Sequence, residues 1–351
     1  FFSSRRRHTR YISVTGVQTC ALPILLGLAL FGVGSLLGVW ATTVEQLAWA
    51  RALQGGGAIS AAVSALLADL TRDGVRTKAM AMIGVTIGLM FALSLVIGPF
   101  LNNAGGLSLI FAVMAALAGV GILIVALWTP AEPGTHQQTA PAQPGTLRQL
   151  FFSADLVRLN LGVFVLYAVQ ISTWVGLPFL LVQAGLAVSD HGWLYLPVVL
   201  MSFVVMGVTL FPLERKGRLR GLFLASIALV LVVQLGFAWQ AMGDASLTVM
   251  GLWLFLFFCG FNVLEASQPS QASRLAPPAV RATVLGIYNT LQSLGIFAGG
   301  AIGGLLSKKI GVTGLFGLNA AMLALWLLAA WGMRVVPVHQ SHTGVSNTSL
   351  N

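Results

Sequence analysis

The sequence is short of charged residues. Only 8% of its 351 residues are Asp, Glu, Lys or Arg, whereas soluble globular proteins average about 25%. This shortage excludes a water-soluble enzyme of this length. The two cysteines, Cys20 and Cys259, also exclude a disulfide scaffold and a multi-cysteine metal cluster. What the chain has instead is apolar residues, which make up 57% of it and give a mean hydropathy of +0.89.

These apolar residues form ten runs from Leu25 onward. Each run is long enough to cross a hydrocarbon core, which takes about 20 helical residues. In lipid a helix satisfies its backbone hydrogen bonds within its own segment. The sequence therefore predicts an all-α, polytopic membrane protein with ten transmembrane helices. The predicted spans are 25–43, 46–69, 79–101, 107–128, 159–183, 192–213, 219–240, 247–267, 283–306 and 312–334.

The lysines and arginines are distributed unevenly between the two sides of the membrane. If the first span runs outward from the cytoplasm, twelve of them follow on the cytoplasmic side and only Lys308 and Lys309 on the other. The positive-inside rule supports this orientation. The formal net charge of +10 is therefore interpreted as a mark of membrane topology, and no nucleic-acid partner is expected.

Three segments differ in composition from the spans. Residues 1–24 resemble the translation of a sequencing-adapter oligonucleotide, and we expect them to be foreign to the natural protein; a signal peptide is the alternative. Residues 129–158 contain four prolines and predict a flexible cytoplasmic linker. This linker would join a partial bundle of four helices, 25–128, to a bundle of six, 159–334. Residues 335–351 form a polar tail.

An internal repeat relates the two predicted bundles. A shift of 205 residues without gaps brings Gly106 onto Gly311 and Phe111 onto Phe316, so the third span corresponds to the ninth. Because six spans separate the copies, both have the same orientation in the membrane, as in a parallel repeat. Two six-helix halves require twelve helices. We therefore expect that the first two helices of the natural protein are missing.

Three short motifs point to a known family. Residues 51–58 read Arg-Ala-Leu-Gln-Gly-Gly-Gly-Ala, residues 214–218 read Glu-Arg-Lys-Gly-Arg, and Gly98-Pro99 ends the third span. With these motifs the chain resembles the major facilitator superfamily, in its drug:proton antiporter branch and the YajR-like group. The resemblance covers about residues 25–334.

The resemblance implies a fold and an activity. The fold is two six-helix bundles, and the activity is alternating-access transport, with proton-coupled export of small amphipathic compounds from the bacterial cytoplasm through the inner membrane. It implies a monomer whose partners are a small-molecule substrate, protons and the lipid bilayer, with no cofactor. A proton-coupled or facilitative carrier of a sugar or other metabolite is the alternative. A membrane-embedded enzyme is disfavoured, since the sequence contains no zinc motif, nucleophile elbow or Walker loop.

Arg51 and Gln54 are polar side chains inside the second span. An arginine at the centre of a membrane helix costs about 2.5–3.5 kcal/mol on insertion scales, so it is expected to face a polar cavity or an internal acceptor. Gln54 lies three residues further along, on the same helix face. The pair predicts a substrate-cavity or proton-relay site, and a structural arginine bonded to neighbouring carbonyls is the alternative.

Glu265 is the only carboxylate well inside a predicted span. An intramembrane acid is by default a candidate functional group, and proton coupling is the role we assign to it. Asn262 precedes it and Pro269 follows, so a kinked helix is expected to present both polar groups together. The alternative is a helix-end glutamate paired with an arginine, Arg274 or Arg281.

Further polar and aromatic side chains recur on single faces of predicted helices. Asn160, Tyr167, Gln170 and Trp174 are spaced along one side of the fifth span. Aromatic and amide groups in an apolar cavity suit amphipathic ligands, although Trp174 also suits the membrane interface. The predicted substrate cavity therefore consists of Arg51, Gln54, Tyr167, Gln170, Trp174, Asn262, Tyr288, Asn289 and Gln292.

Charged side chains cluster at the cytoplasmic ends of the spans. Such clusters often act only as topology determinants. In the family that the chain resembles, acid–base clusters latch helices on the cytoplasmic side, which makes Asp69 and Arg281 latch candidates here. The predicted cytoplasmic gate consists of Asp69, Arg76, Glu214, Arg215, Arg218 and Arg281.

Overall fold

Helices account for the regular structure that can be described, apart from one short 3-10 turn, Val188–Asp190. The computed structural model describes residues 21–57, 59, 62–63, 73–128, 153–243, 245–275 and 281–333. The predicted all-α fold is confirmed. The helices are α1 Ala21–Val39, α2 Val44–Gly56, α3 Asp73–Trp128, α4 Ala154–Gln183, α5 His191–Arg215, α6 Leu219–Gln240, α7 Leu247–Leu275 and α8 Arg281–Trp331.

The helices belong to two compact units. The first unit contains α1, α2 and most of α3, and the second contains α4 to α8. Seven helices within the described ranges are long and apolar enough to cross a membrane, so a multi-pass membrane protein is confirmed. Helix α2 falls short with 13 residues. The count of ten spans stays a prediction.

Glycines break the two longest helices. Within α3, Gly106 has φ 66° and ψ −164°, and within α8, Gly311 has φ 71° and ψ 175°. This region of backbone conformation is essentially restricted to glycine. Both breaks fall between predicted spans. The repeat of 205 residues pairs these same two glycines, and their shared conformation supports it.

Replacing Gly311 with alanine is expected to destabilise the protein by about 1–3 kcal/mol, because alanine must adopt a strained conformation there. Gly317, in the helix that follows, is the matched control, since an added Cβ meets nothing within 4 Å at either position. Gly317→Ala is expected to stabilise that helix by about 0.5–1 kcal/mol. Denaturant unfolding in detergent measures both changes, and equal effects would contradict the conformational argument.

Several helix ends differ from the prediction. Helix α4 begins at Ala154 rather than 159, because Ser153 and Asp155 form its start and first turn. Asp155 is favourable there, since the positive end of the helix dipole attracts a carboxylate. Residues 154–158, predicted as the end of the linker, are therefore helical. Helix α1 begins at Ala21, four residues before the predicted span.

Helix α2 has a well-defined start and an early end. The Thr43 side chain accepts a hydrogen bond from the backbone N–H of Gln46 at 3.2 Å, and the Gln46 side chain accepts from the Thr43 N–H at 3.3 Å. This reciprocal pair is a capping box. The helix ends at Gly56, within the run of glycines, rather than at the predicted 69. Residues 64–72 lie outside the described ranges.

A row of glycines brings α8 against α4. From Gly295 to Gly303, every fourth residue of α8 is a glycine that faces a residue of α4, so the two helices approach with little side chain between them. Small residues at such spacing are the usual means of close helix packing in membranes. The pairs are Gly295 with Phe164, Gly299 with Ala168 and Gly303 with Ser172. This packing places the first half of α8 beside the polar residues of α4.

Candidate functional site

A hydrogen bond between Tyr167 and Glu265 links α4 to α7. The Tyr167 hydroxyl donates to the Glu265 Oε1 atom at 3.0 Å. Tyr167 is buried and Glu265 half-buried. The ring of Tyr167 also meets the Phe261 ring edge-on, with centroids 6.0 Å apart. The carboxylate therefore has one polar partner and an aromatic surrounding on this side.

Three further polar side chains gather around this pair. The Tyr288 hydroxyl donates to the Gln268 Oε1 atom at 3.5 Å, and Gln268 lies three residues after Glu265 on α7. Gln292 lies four residues after Tyr288 on α8, and this spacing places it on the same helix face. We call Tyr167, Glu265, Gln268, Tyr288 and Gln292 the carboxylate cluster. Its members come from α4, α7 and α8, and only Gln268 was missed by the sequence prediction.

Gln268 gives the carboxylate cluster a spare hydrogen-bond donor. Its side chain is fully buried, and its Nε2 atom has no hydrogen-bond partner among the described residues. A buried amide nitrogen without a partner costs about 1–3 kcal/mol. A bound ligand or water with an acceptor atom would remove that cost.

Glu265 lies deeper in its helix than the prediction placed it. Helix α7 continues to Leu275, so Glu265 is ten residues from its end, or about 15 Å at 1.5 Å per residue. The predicted span ended at 267, which put the carboxylate near the membrane edge. The side chain of Arg274 and that of Arg281 lie outside what the structure describes, so the predicted alternative of an arginine pair stays open.

Asn262 does not join Glu265, contrary to the expectation that both would be presented together. Its Nδ2 atom donates to the Ser202 hydroxyl on α5 at 2.8 Å, and that hydroxyl donates to the Val199 carbonyl at 2.6 Å. Three residues along a helix turn the side chain by about 60° from full register. Because of this offset, Asn262 of α7 contacts α5 and Glu265 of α7 contacts α4.

The other side chains predicted on α4 and α8 are Gln170, Trp174 and Asn289. Trp174 packs edge-on against the Tyr195 ring of α5, with centroids 5.0 Å apart, and at a tilt against the Phe258 ring of α7, with centroids 6.1 Å apart. Gln170 is buried and Asn289 half-buried. The aromatic contacts of Trp174 occur two helix turns along α4 from Tyr167. The side chains predicted on one face of α4 therefore belong to two separate groups of contacts.

In the first unit, Arg51 and Gln54 are held together as predicted from their spacing. Arg51 Nη1 donates to Gln54 Oε1 at 3.2 Å, and Gln54 Nε2 donates to the Ser35 hydroxyl on α1 at 2.7 Å. The Arg51 guanidinium also lies over the Phe111 ring, 4.8 Å from its centroid. Among the described residues its partners are thus an amide and a ring rather than backbone carbonyls. Gly34 permits the close contact, since an added Cβ would lie 2.8 Å from the Gln54 nitrogen.

Part of the predicted cytoplasmic gate forms a tight turn between α5 and α6. The Arg218 N–H bonds the Leu213 carbonyl at 2.9 Å and the Gly217 N–H bonds the Glu214 carbonyl at 3.0 Å, which together make a Schellman motif. Gly217 has φ 70°, a conformation that glycine adopts readily, which explains why residues 214–218 contain a glycine at this position. Asp69 lies outside the described residues, and for Arg76, Arg215 and Arg281 only the backbone is described.

A buried polar chain across α4, α6 and α8 was missed by the sequence prediction. Asn319 Nδ2 donates to Gln234 Oε1 at 3.1 Å, and Gln234 Nε2 donates to the Thr173 hydroxyl at 2.9 Å. All three side chains are buried. The sequence signal that could have predicted this chain was the isolated amide side chains inside the spans 219–240 and 312–334. Because its polar atoms bond one another, the chain is a helix-to-helix link of the second unit.

A comparison with protein families identifies the fold. Residues 21–300 match the model of the Major Facilitator Superfamily. The chain belongs to this superfamily. The sequence resemblance is therefore confirmed over most of the chain, including both units.

Curated relatives place this member of the Major Facilitator Superfamily near bacterial transporters. The inner membrane transport protein YajR of Escherichia coli (strain K12) is 35% identical over 316 residues, which are 90% of this chain and 69% of YajR. An uncharacterized transporter of Buchnera aphidicola subsp. Acyrthosiphon pisum is 30% identical over 278 residues, 79% of this chain and 70% of that protein. The predicted similarity to the YajR-like group is confirmed.

Solved structures of the superfamily share this fold at low sequence identity. A bacterial homologue of the lysosomal transporter Spinster superposes with a TM-score of 0.67 at 14% identity, over 90% of this chain and 83% of that one. The human organic anion transporter MFSD10 gives 0.64 at 20% identity, over 90% and 79%. These structures support the fold alone. The family match and the identity to YajR make the protein a secondary transmembrane transporter and not an enzyme, as predicted.

Proposed function

We propose that this transporter exports small amphipathic compounds from the bacterial cytoplasm in exchange for protons, as a monomer in the inner membrane, and that Glu265 carries the proton. The observation that supports the proposal most directly is the hydrogen bond from Tyr167 to Glu265. It supports the proposal because the titratable group lies inside α7 and contacts a neighbouring helix, α4.

The position of Glu265 fits a group that alternates between two protonation states. A charged side chain within a membrane is expensive and marks proton relays in pumps and transporters. The Tyr167 hydroxyl stabilises the carboxylate by a charge-assisted hydrogen bond. When a proton binds Glu265, its charge is removed and this bond weakens. Proton binding can therefore change how α4 and α7 contact each other, as alternating access requires.

The surroundings of the carboxylate cluster suit an amphipathic substrate. Tyr167, Tyr288 and Phe261 provide aromatic surface, and Gln268 provides the spare amide donor. Apolar sites with a few well-placed polar groups bind such molecules by contact area and orient them by hydrogen bonds. We extend the predicted cavity by Gln268 and retain Gln170, Trp174, Asn262, Asn289 and Gln292 as proposed members.

In the first unit we propose that Arg51 and Gln54 form a second polar site along the transport path. Arg51 is exposed in the structure, yet its guanidinium is held by Gln54 and Phe111. This arrangement fixes a permanent positive charge, because an arginine does not lose its proton in proteins. For the cytoplasmic gate we retain Asp69, Arg76, Glu214, Arg215, Arg218 and Arg281 as a proposal.

The relatives support the location more than the substrate. YajR is described as an inner membrane transport protein, which favours the inner membrane for this chain. The nucleoside transporter NupG has the same fold, with a TM-score of 0.66 over 90% of this chain and 83% of NupG. At 16% identity this likeness carries no information about what the present chain transports.

Efflux from cells tests the proposal. The source gene, including any coding sequence upstream of residue 25, is expressed in a bacterium that lacks its own drug pumps. We expect retention of amphipathic dyes to fall, and a protonophore to restore it. Saturable transport of a hydrophilic sugar or metabolite, with no effect on the dyes, would overturn the export proposal while leaving the transporter assignment intact.

A further inference from the structure

Two arginines from different helices meet at one end of the second unit. Arg158, near the start of α4, donates from Nη1 to the Gly332 carbonyl at 3.0 Å. Arg220, near the start of α6, donates from Nη2 to the Trp331 carbonyl at 2.6 Å. Because these carbonyls belong to consecutive residues at the end of α8, both guanidiniums bind the same end of that helix. The bonds also satisfy carbonyls that a helix end leaves without an internal partner.

Both guanidiniums retain donors for a further ligand. An arginine has five N–H donors in a planar fork, which matches the oxygens of a phosphate group. The carbonyl bonds occupy one donor group of each arginine, and Asp155 contacts the same Nη1 atom of Arg158 at 3.2 Å. Arg220 is exposed, and the Arg158 side chain is 33% exposed. The pair is therefore accessible.

Neighbouring charges keep this end positive. Lys216 and Arg218, both exposed, lie in the turn that leads into α6 and join the arginine pair. Glu214 and Asp155 are the carboxylates nearby in the sequence. Counted over the side chains that the structure describes, four cations and two carboxylates leave a net charge of +2. The sequence predicts this end to be cytoplasmic. At the cytoplasmic surface of a membrane, such a cluster meets anionic lipid headgroups.

An apolar track on α8 leads directly to the arginine pair. Leu325 and Leu328 are 67% and 74% exposed, and Trp331 is 65% exposed at the helix end. Their spacing of three residues keeps them on one side of the helix. Tryptophan is enriched where membrane helices reach the interface. The track therefore offers a surface for an acyl chain, and it ends at the carbonyls that hold the two guanidiniums.

We propose that this end of α4, α6 and α8 binds an anionic glycerophospholipid. Its phosphodiester oxygens accept hydrogen bonds from Arg158 and Arg220, and one acyl chain lies along Leu325 and Leu328. The proposal is independent of what the protein transports. This end of the second unit then has two roles: its arginines link the helices by hydrogen bonds, and they bind a lipid.

Native mass spectrometry of the purified, delipidated chain in neutral detergent tests the site. The probes are phosphatidylglycerol and phosphatidylcholine with identical acyl chains, at low ionic strength. Two surface cations favour the anionic lipid by about thirty-fold. We expect Arg158→Gln with Arg220→Gln to abolish the preference. The matched control is Lys308→Gln with Lys309→Gln, which removes two exposed cations from the first half of α8, just before the break at Gly311, and is expected to keep the preference.

Two further measurements separate the outcomes. Arg158→Lys with Arg220→Lys keeps both charges, so it is expected to retain most of the preference even if the glutamine variant does not fold. Inorganic phosphate at millimolar concentration is expected not to displace the lipid. Equal binding of both lipids by the unsubstituted chain, an unchanged preference in the glutamine variant, or full displacement by phosphate would each overturn the proposal.

Discussion

Replacement of Glu265 with glutamine is expected to abolish efflux driven by a pH gradient. Glutamine keeps the size of the side chain and accepts the hydrogen bond from Tyr167, but it cannot bind and release a proton. Groups that transfer protons in enzymes contribute about 10²–10⁴-fold to rate, so we expect driven efflux to fall about a hundredfold. Reconstituted vesicles with an imposed pH gradient provide the measurement.

Substrate exchange in the absence of a pH gradient separates coupling from folding. The glutamine variant is expected to keep this exchange, because no net proton movement is needed. Tyr167→Phe is the matched control for the hydrogen bond, since it keeps the ring that packs on Phe261 and removes only the donor. We expect it to weaken driven efflux without abolishing it. Full driven efflux by the glutamine variant would rule out Glu265 as the proton carrier.

The sequence predicted the helices better than the contacts between them. Charge scarcity and span length were sufficient for the all-helical membrane fold, and the loops predicted at 102–106 and 307–311 contain the breaks at Gly106 and Gly311. The start of α4 and the end of α7 were misplaced, since the predicted spans followed the apolar runs and stopped short of Asp155 and Arg274. In both cases the helix extends beyond its apolar part into charged residues.

Contacts between helices were the part that the sequence did not determine. Spacing placed Tyr167 and Trp174 on one face of α4, which is correct locally, but the neighbours of a face depend on how five helices pack. Tyr167 therefore meets Glu265, and Trp174 meets Tyr195. Gln234 had no neighbour in the sequence to mark it, and its bonds to Thr173 and Asn319 span 61 and 85 residues.

Gly299→Ala is expected to disturb the carboxylate cluster from a distance. An added Cβ would overlap the Ala168 carbonyl oxygen and lie 2.9 Å from the Ala168 Cα atom. These are backbone atoms of α4, so the contact is relieved only if the two helices move apart. Overpacking of this kind costs about 1–3 kcal/mol. Because Tyr288 and Gln292 lie on the same half of α8, their separation from Tyr167 is expected to reduce transport as well.

Gly304 is the matched control for this substitution. It lies on the same half of α8, and an added Cβ there meets nothing within 4 Å. Gly304→Ala is therefore expected to leave transport unchanged and to stabilise the helix by about 0.5–1 kcal/mol. Denaturant unfolding and efflux, measured on both variants, make the comparison. If Gly299→Ala matches Gly304→Ala in both stability and efflux, close approach of α4 and α8 is not what holds the carboxylate cluster together. If Gly299→Ala lowers only stability, the close packing is structural and the carboxylate cluster tolerates its loss.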